Sequence, residues 1–147
     1  MRELSEATVL ALHALQAMML KGTPLSIPEM ARSSGFDGAR IRPLLARLQR
    51  EGLVHSRPGR GFVLTRSPGE ITLHEIIQAI GESKPPGAPC GGDFDACASR
   101  ASCILVPLCR KAEQGFQETL RTFTLAELRG LPLDLPNCVA PVSRSRT

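Results

Sequence analysis

Apolar residues in the first part of the chain recur at spacings of three and four: Leu4, Ala7, Ala11, Leu15 and Met18, with Leu10, Leu12 and Met19 widening the stripe. That period predicts a helix over residues 4–20, apolar on more than one face and closed by Lys21-Gly22. Ser26 as N-cap and Pro28 in the first turn predict a short second helix from Ile27 to Ser33, ended by Ser34-Gly35. A third run puts Ile41, Leu44, Leu45 and Leu48 on one face and Arg40, Arg42, Arg47 and Arg50 elsewhere, up to Gly52. Pro43 lies inside this run, so its helix is expected to start near Arg42 or to have a distorted first turn.

Beyond Gly52 the period shortens. Residues 53–56 alternate as a strand, 57–61 form a tight turn around Pro58-Gly59, and 62–65 read as the return strand. Thr72 and Glu75 form a capping box that opens a helix running to Ile80. Helix, helix, short turn, helix and hairpin is the order of a winged helix-turn-helix. The fold class is therefore mainly α, a winged helix-turn-helix with a cysteine loop and a long C-terminal helix. The boundaries expected are 1–83 for the winged module, 84–103 for a Pro/Gly/Cys-rich loop, 104–128 for a helix starting near Val106 and a short one after it, and 129–147 for a disordered tail.

Composition narrows the classes. Aromatics are 3% of the 147 residues, with no Trp or Tyr, which favours a core of packed helices over a β-sandwich. No apolar run is long enough to cross a membrane, and Met1-Arg2-Glu3-Leu4-Ser5-Glu6 is too acidic for a secretory signal. A cytoplasmic location, with thiols kept reduced, is the expectation. No nucleophile–base set, phosphate-binding glycine loop or paired acidic motif appears, and the three histidines (13, 55, 74) are scattered. An enzyme is not expected.

The net charge of +4 conceals an asymmetry. Residues 39–66 hold seven Arg and one acid, Glu51, for +6, while the rest of the chain nets −2. Arginine forks onto phosphate or onto guanine O6 and N7, so the third helix and the hairpin read as a DNA-binding surface. Arg40, Arg42, Arg47, Arg57 and Arg60 are the candidate contacts.

The five cysteines divide unevenly. Cys90-x6-Cys97-x5-Cys103 clusters three thiols on a Gly- and Pro-rich loop, where they can converge on a metal centre or cluster. A thiol set that forms a disulfide on oxidation is the alternative. The spacings are not the short knuckles of structural zinc sites. Cys109, six residues on, reads as a free cysteine packed in a helix interface, and Cys138 as a tail residue without a role.

The chain resembles the IscR/NsrR-type bacterial transcription regulators (Rrf family) over roughly residues 2–128. The resemblance rests on Leu25-x-Ile27-x-x-Met30-Ala31, Ile41-x-x-Leu44-Leu45-x-x-Leu48-x-x-x-Gly52-Leu53-Val54 and Arg57-x-Gly59-x-Gly61-Phe62-x-Leu64. Ile71-Thr72-Leu73-x-Glu75-Ile76-Ile77-x-Ala79-Ile80, the three cysteines and Phe123-Thr124-Leu125-Ala126-Glu127-Leu128 complete it.

It implies a homodimer whose long helix after Cys103 is the dimerisation helix. It also implies an iron–sulfur cluster, 2Fe-2S or 4Fe-4S, on Cys90, Cys97 and Cys103. The fourth ligand stays open. A histidine three residues after the last cysteine would fall at Val106, and an N-terminal carboxylate near Thr8 and Val9. His13 matches a helix-one histidine used in one branch. Glu6 lies in the same N-terminal region but does not align with that carboxylate, and Cys109 is a further alternative.

The partner implied is double-stranded DNA with a pseudopalindromic operator, bound or released as the cluster responds to redox state, nitric oxide or cluster supply. Two rivals stand beside this reading. One is a thiol- or zinc-based regulator without iron; the other is a cluster- or electron-transfer protein that binds no specific DNA.

Overall fold

Caps and core-facing stripes set the elements. The computed structural model describes residues 4–81 and 101–130. Helix α1 spans Glu6–Lys21, its N-terminus capped by Ser5, whose Oγ accepts the Thr8 N–H at 3.2 Å. Helix α2 spans Ile27–Ser34 and opens with a full capping box: the Ser26 hydroxyl accepts the Glu29 N–H, and the Glu29 carboxylate accepts the Ser26 N–H at 2.8 Å. Gly35, at φ +74°, makes the tight turn that lets α2 and the next helix cross.

Helix α3 spans Gly38–Arg50 and is continuous through Pro43. Of the two expectations, a start near Arg42 is corrected to Gly38, because Asp37 nucleates the helix earlier, and the altered first turn is the one observed. Its carboxylate accepts the Ala39 N–H at 3.0 Å. Its carbonyl accepts both Arg40 N–H (3.0 Å) and Ile41 N–H (3.3 Å), a tightened first turn. Pro43 and Ala39 are both exposed, so the carbonyl that Pro43 deprives of a donor lies on the solvent side of α3.

Strands β1 (Val54–Arg57) and β2 (Gly61–Leu64) pair antiparallel, Val54 opposite Leu64 and Arg57 opposite Gly61. Leu25 adds an isolated bridge to Phe62, so the segment before α2 runs alongside the wing. Helix α4 spans Leu73–Ile80 behind the Thr72–Glu75 capping box. Helix α5 spans Leu105–Thr122, and Leu125–Gly130 is a 3-10 segment.

Helix α1 is the centre of the core. It packs on α2, α3, α4, β2 and the 3-10 segment, which explains a stripe wider than one face. Ala11 and Leu15 on α1 are fully buried, as are Met30, Leu45, Leu48, Ile71, Ile76 and Leu125. Each such large side chain contributes about 1.5–3 kcal/mol of burial. Residues 124–130 return to this core. Thr124 bridges Thr72, the Leu125 N–H donates to the Ile71 carbonyl at 2.8 Å, and the Gln16 amide donates to the Leu128 carbonyl at 2.6 Å.

Candidate nucleic-acid interface and cysteine segment

Helix geometry sorts the residues of α3. The arc Ile41, Leu44, Leu45 and Leu48 faces the core, and the exposed remainder includes Ala39, Arg40, Arg42, Pro43, Ala46, Arg47 and Arg50. Arg40 and Arg47, seven residues apart, lie on one flank; Arg42 lies on the other. On the wing, the Arg60 N–H donates to the Arg57 carbonyl at 2.9 Å, and both arginines project from the exposed turn.

The arginines differ in what they already hold. The side chains of Arg42, Arg50, Arg57 and Arg60 are exposed and make no hydrogen bond or ion pair among the described residues. Arg40 is paired with the carboxylate of Glu6 at the start of α1, and its guanidinium stands 5.9 Å from the centre of the Phe36 ring. Arg47 donates from Nη1 to the Ile80 carbonyl at 2.7 Å. Arg66 bonds the Glu70 carbonyl at 3.2 Å and the Glu75 carboxylate at 2.8 Å. Arg40 and Arg47 are thus engaged within the fold, a difference that charge counting alone does not reveal.

His13 is buried, its ring 6.0 Å from that of Phe36 and tilted by 51°. Its Nδ1 is buried and has no hydrogen-bond partner among the described residues. Burial holds the imidazole pKa below its ordinary 6.5, which favours the neutral ring, the form that ligates metals.

Cys103 is half-buried just ahead of α5, its carbonyl accepting the Val106 N–H at 3.3 Å. Cys109 is half-buried within α5; both are free thiols. Cys90, Cys97 and Cys138 lie outside the described residues, as do most of the expected 84–103 loop and the 131–147 tail. Among the described residues no three His, Cys, Asp or Glu side chains gather into a metal-sized group. The soft thiolate donors that the chain carries suit iron–sulfur or zinc, and an unpartnered neutral imidazole is compatible with either.

Helix α5 contacts α4, and its one buried side chain is Leu120. Its N-terminal end leaves Ile104 (82%), Leu108 (63%) and Leu105 (43%) exposed to solvent.

A helix-turn-helix followed by a two-stranded wing, with exposed arginines on both, defines a winged-helix DNA-binding protein. The family model described as "Rrf2: Iron-dependent Transcriptional regulator" matches residues 4–130. The chain belongs to the Rrf2 family of transcription regulators.

Protein aau3 of Rhizobium meliloti (strain 1021) is 35% identical over 130 residues, 85% of this chain and 83% of that one. The HTH-type transcriptional regulator IscR of Cronobacter sakazakii is 28% identical over 114 residues, 76% and 69% of the two chains. Two solved structures share the fold at 22% identity. CymR, the global cysteine regulator of B. subtilis, has a TM-score of 0.71, covering 88% of this chain and 97% of that one. T. potens IscR has a TM-score of 0.67, covering 86% and 85%. No helix among the described residues is long and apolar enough to cross a membrane.

Proposed function

We propose that this transcription regulator binds a pseudopalindromic operator as a homodimer and that an iron–sulfur cluster held by Cys90, Cys97 and Cys103 modulates the binding. The observation that carries the DNA half is the set of unpaired, exposed arginines on α3 and the wing. In this reading the exposed Arg42 reaches base edges, and the exposed Arg57 and Arg60 reach the backbone or minor groove. Arg40 joins them if Glu6 gives it up. The apolar end of α5 supports dimerisation, since the exposed Ile104, Leu105 and Leu108 on this helix suit a second copy of the same helix.

When bound, the cluster supplies a centre whose state changes with redox conditions, nitric oxide or iron supply. Residues 81–104 join α4 to α5, so thiols held together there bias how these two helices sit. The two recognition helices of a dimer must match half-sites about one turn of DNA apart, so a small bias shifts the population competent to bind. His13, with its neutral ring and unpartnered Nδ1, is the fourth-ligand candidate that the described residues favour over Glu6, which is already ion-paired.

Anaerobic purification tests this reading. Brown colour with acid-labile sulfide, abolished in Cys97→Ser and retained in Cys109→Ser, is the expected result. A colourless protein that retains zinc, or whose DNA binding responds only to thiol oxidants, would replace it with the iron-free regulator. Absence of any sequence-specific footprint would leave the cluster-transfer reading.

A further inference from the structure

The recognition helix is tied down along one flank. Arg40 and Arg47 lie about 20° apart around the α3 axis. Arg40 reaches Glu6 at the start of α1, and Arg47 reaches the carbonyl of Ile80, the last residue of α4. The Arg47 bond spans 33 positions of sequence and joins α3 to the end of α4.

The chemistry at the acceptor explains why arginine sits there. The helix stops at Gly81, whose N–H caps the carbonyls of Gln78 and Ile77. The Ile80 carbonyl has no further helical turn to supply its donor. A guanidinium supplies it, and its positive charge stands at the negative end of the α4 dipole. The Ile80 side chain is buried in the core, so the end of α4 is held on both sides: by its side chain in the core and by its carbonyl on α3. The segment carrying Cys90 and Cys97 begins directly after this point.

We propose that Arg47 is a positioning residue. It fixes the recognition helix to the end of α4, and through that bond operator affinity follows the state of the cysteine-bearing segment; it is not a phosphate contact. This inference rests on the reading that the cysteines modulate DNA binding. A lost phosphate contact leaves a signature that a lost internal bond does not, because each phosphate neutralised adds about one unit to the dependence of log affinity on log salt.

The test uses the full chain, cluster-free and after anaerobic loading with ferrous iron and sulfide, on a duplex selected from a random-sequence pool with the wild-type protein. Arg47→Ala and Arg47→Gln are titrated across a salt series, with circular dichroism to verify that each folds. Arg47→Ala is expected to keep the wild-type salt slope while the ratio of loaded to cluster-free affinity collapses toward one. Arg47→Gln, whose amide can still donate to the Ile80 carbonyl, is expected to restore part of that ratio. A salt slope lower by about two units in both variants, one for each protomer of the dimer, overturns the proposal in favour of a phosphate contact. An unchanged ratio in Arg47→Ala overturns the coupling. Equal affinities for loaded and cluster-free wild type would sink the cluster-sensing reading instead, and the slopes would still separate a helix anchor from a DNA contact. If Arg47→Ala is unfolded, Arg47→Gln alone decides through its slope and ratio.

Discussion

Leu25 and Phe62 exchange both of their backbone hydrogen bonds, the Leu25 N–H to the Phe62 carbonyl at 3.0 Å and the Phe62 N–H to the Leu25 carbonyl at 2.9 Å. This pair joins the wing to the segment just ahead of α2. The orientation of β1 and β2 relative to the helix-turn-helix is therefore set by backbone, not by the long arginine side chains that the wing carries.

Gly61 is the position that permits this approach. A Cβ there would stand 2.4 Å from the Leu25 carbonyl oxygen, and the backbone sits at φ +113°. Gly61→Ala is expected to cost roughly 3 kcal/mol in urea unfolding, from strain and backbone displacement together. Gly59→Ala is the comparison: it also has positive φ, at +71°, but meets nothing within 4 Å, so a loss of about 1 kcal/mol is expected. Equal losses for the two would show that the Leu25 contact does not constrain the wing.

Much of the architecture was legible because it is encoded locally. The Ser26–Glu29 and Thr72–Glu75 capping boxes, the stripe Ile41, Leu44, Leu45 and Leu48, and the Pro58-Gly59 turn each depend on residues within a few positions of one another. The bonds Arg40–Glu6, Arg47–Ile80 and Gln16–Leu128 were not legible, since partners 34, 33 and 112 positions apart are chosen by packing. Five arginines looked equivalent as candidate DNA contacts until two of them proved to be engaged. Leu25 as a wing partner left only a faint signal, an apolar residue in an extended stretch after Pro24. Pro43 does not delay the start of α3, because the cost of its missing N–H is small where the orphaned carbonyl faces water.

Stability should fall on mild acidification. His13 has its pKa lowered by burial; His74 has its pKa lowered by burial and then by the charge of Arg121, with Glu75 opposing. As pH drops through the ordinary 6.5, the unfolded chain takes up protons that the folded chain resists, so the unfolded state gains. The loss begins near that value, continues down to the folded pKa values, and is absent above it. In the cluster-free protein, melting temperature should be flat above about pH 7 and decline below it, and a His13→Gln, His74→Gln double variant should flatten that decline. Glu29, held at about 2 by Lys21 and by the Ser26 backbone and side-chain bonds, adds a separate loss between its ordinary 4.5 and about 2. A profile that falls equally in wild type and double variant between pH 7 and 5 would remove the histidines from the explanation.

The apolar end of α5 predicts a separable assembly defect. Leu108 is 63% exposed, so Leu108→Glu should cost the single chain little, within about 0.5 kcal/mol. In a dimer it would bury an unpaired carboxylate at the interface. Sedimentation is expected to show the wild type at twice the chain mass and the variant at the chain mass. Operator affinity should weaken in parallel, because both half-sites no longer bind one rigid unit. Dimers that persist in Leu108→Glu would move the interface elsewhere.

The Glu6–Arg40 pair predicts a gain. Both side chains are about half exposed, so the pair contributes no more than about 1 kcal/mol to the fold, and Glu6→Gln should leave the melting temperature nearly unchanged. Its larger effect is on DNA. Arg40 lies in the first turn of α3, where recognition helices approach base edges and phosphates, and Glu6 both occupies its guanidinium and brings a negative charge to the same surface. Removing that charge while keeping the side-chain shape should tighten operator binding several-fold at low salt. The salt slope should steepen by up to about two units, as the Arg40 of each protomer becomes free to displace a counterion. Phe36 would still hold Arg40 near its present place through the ring contact at 5.9 Å, so the gain does not require a rearranged helix. Weaker binding in Glu6→Gln, with an unchanged slope, would instead mean that the pair sets the position of the α3 N-terminus and that Arg40 contributes through geometry rather than charge.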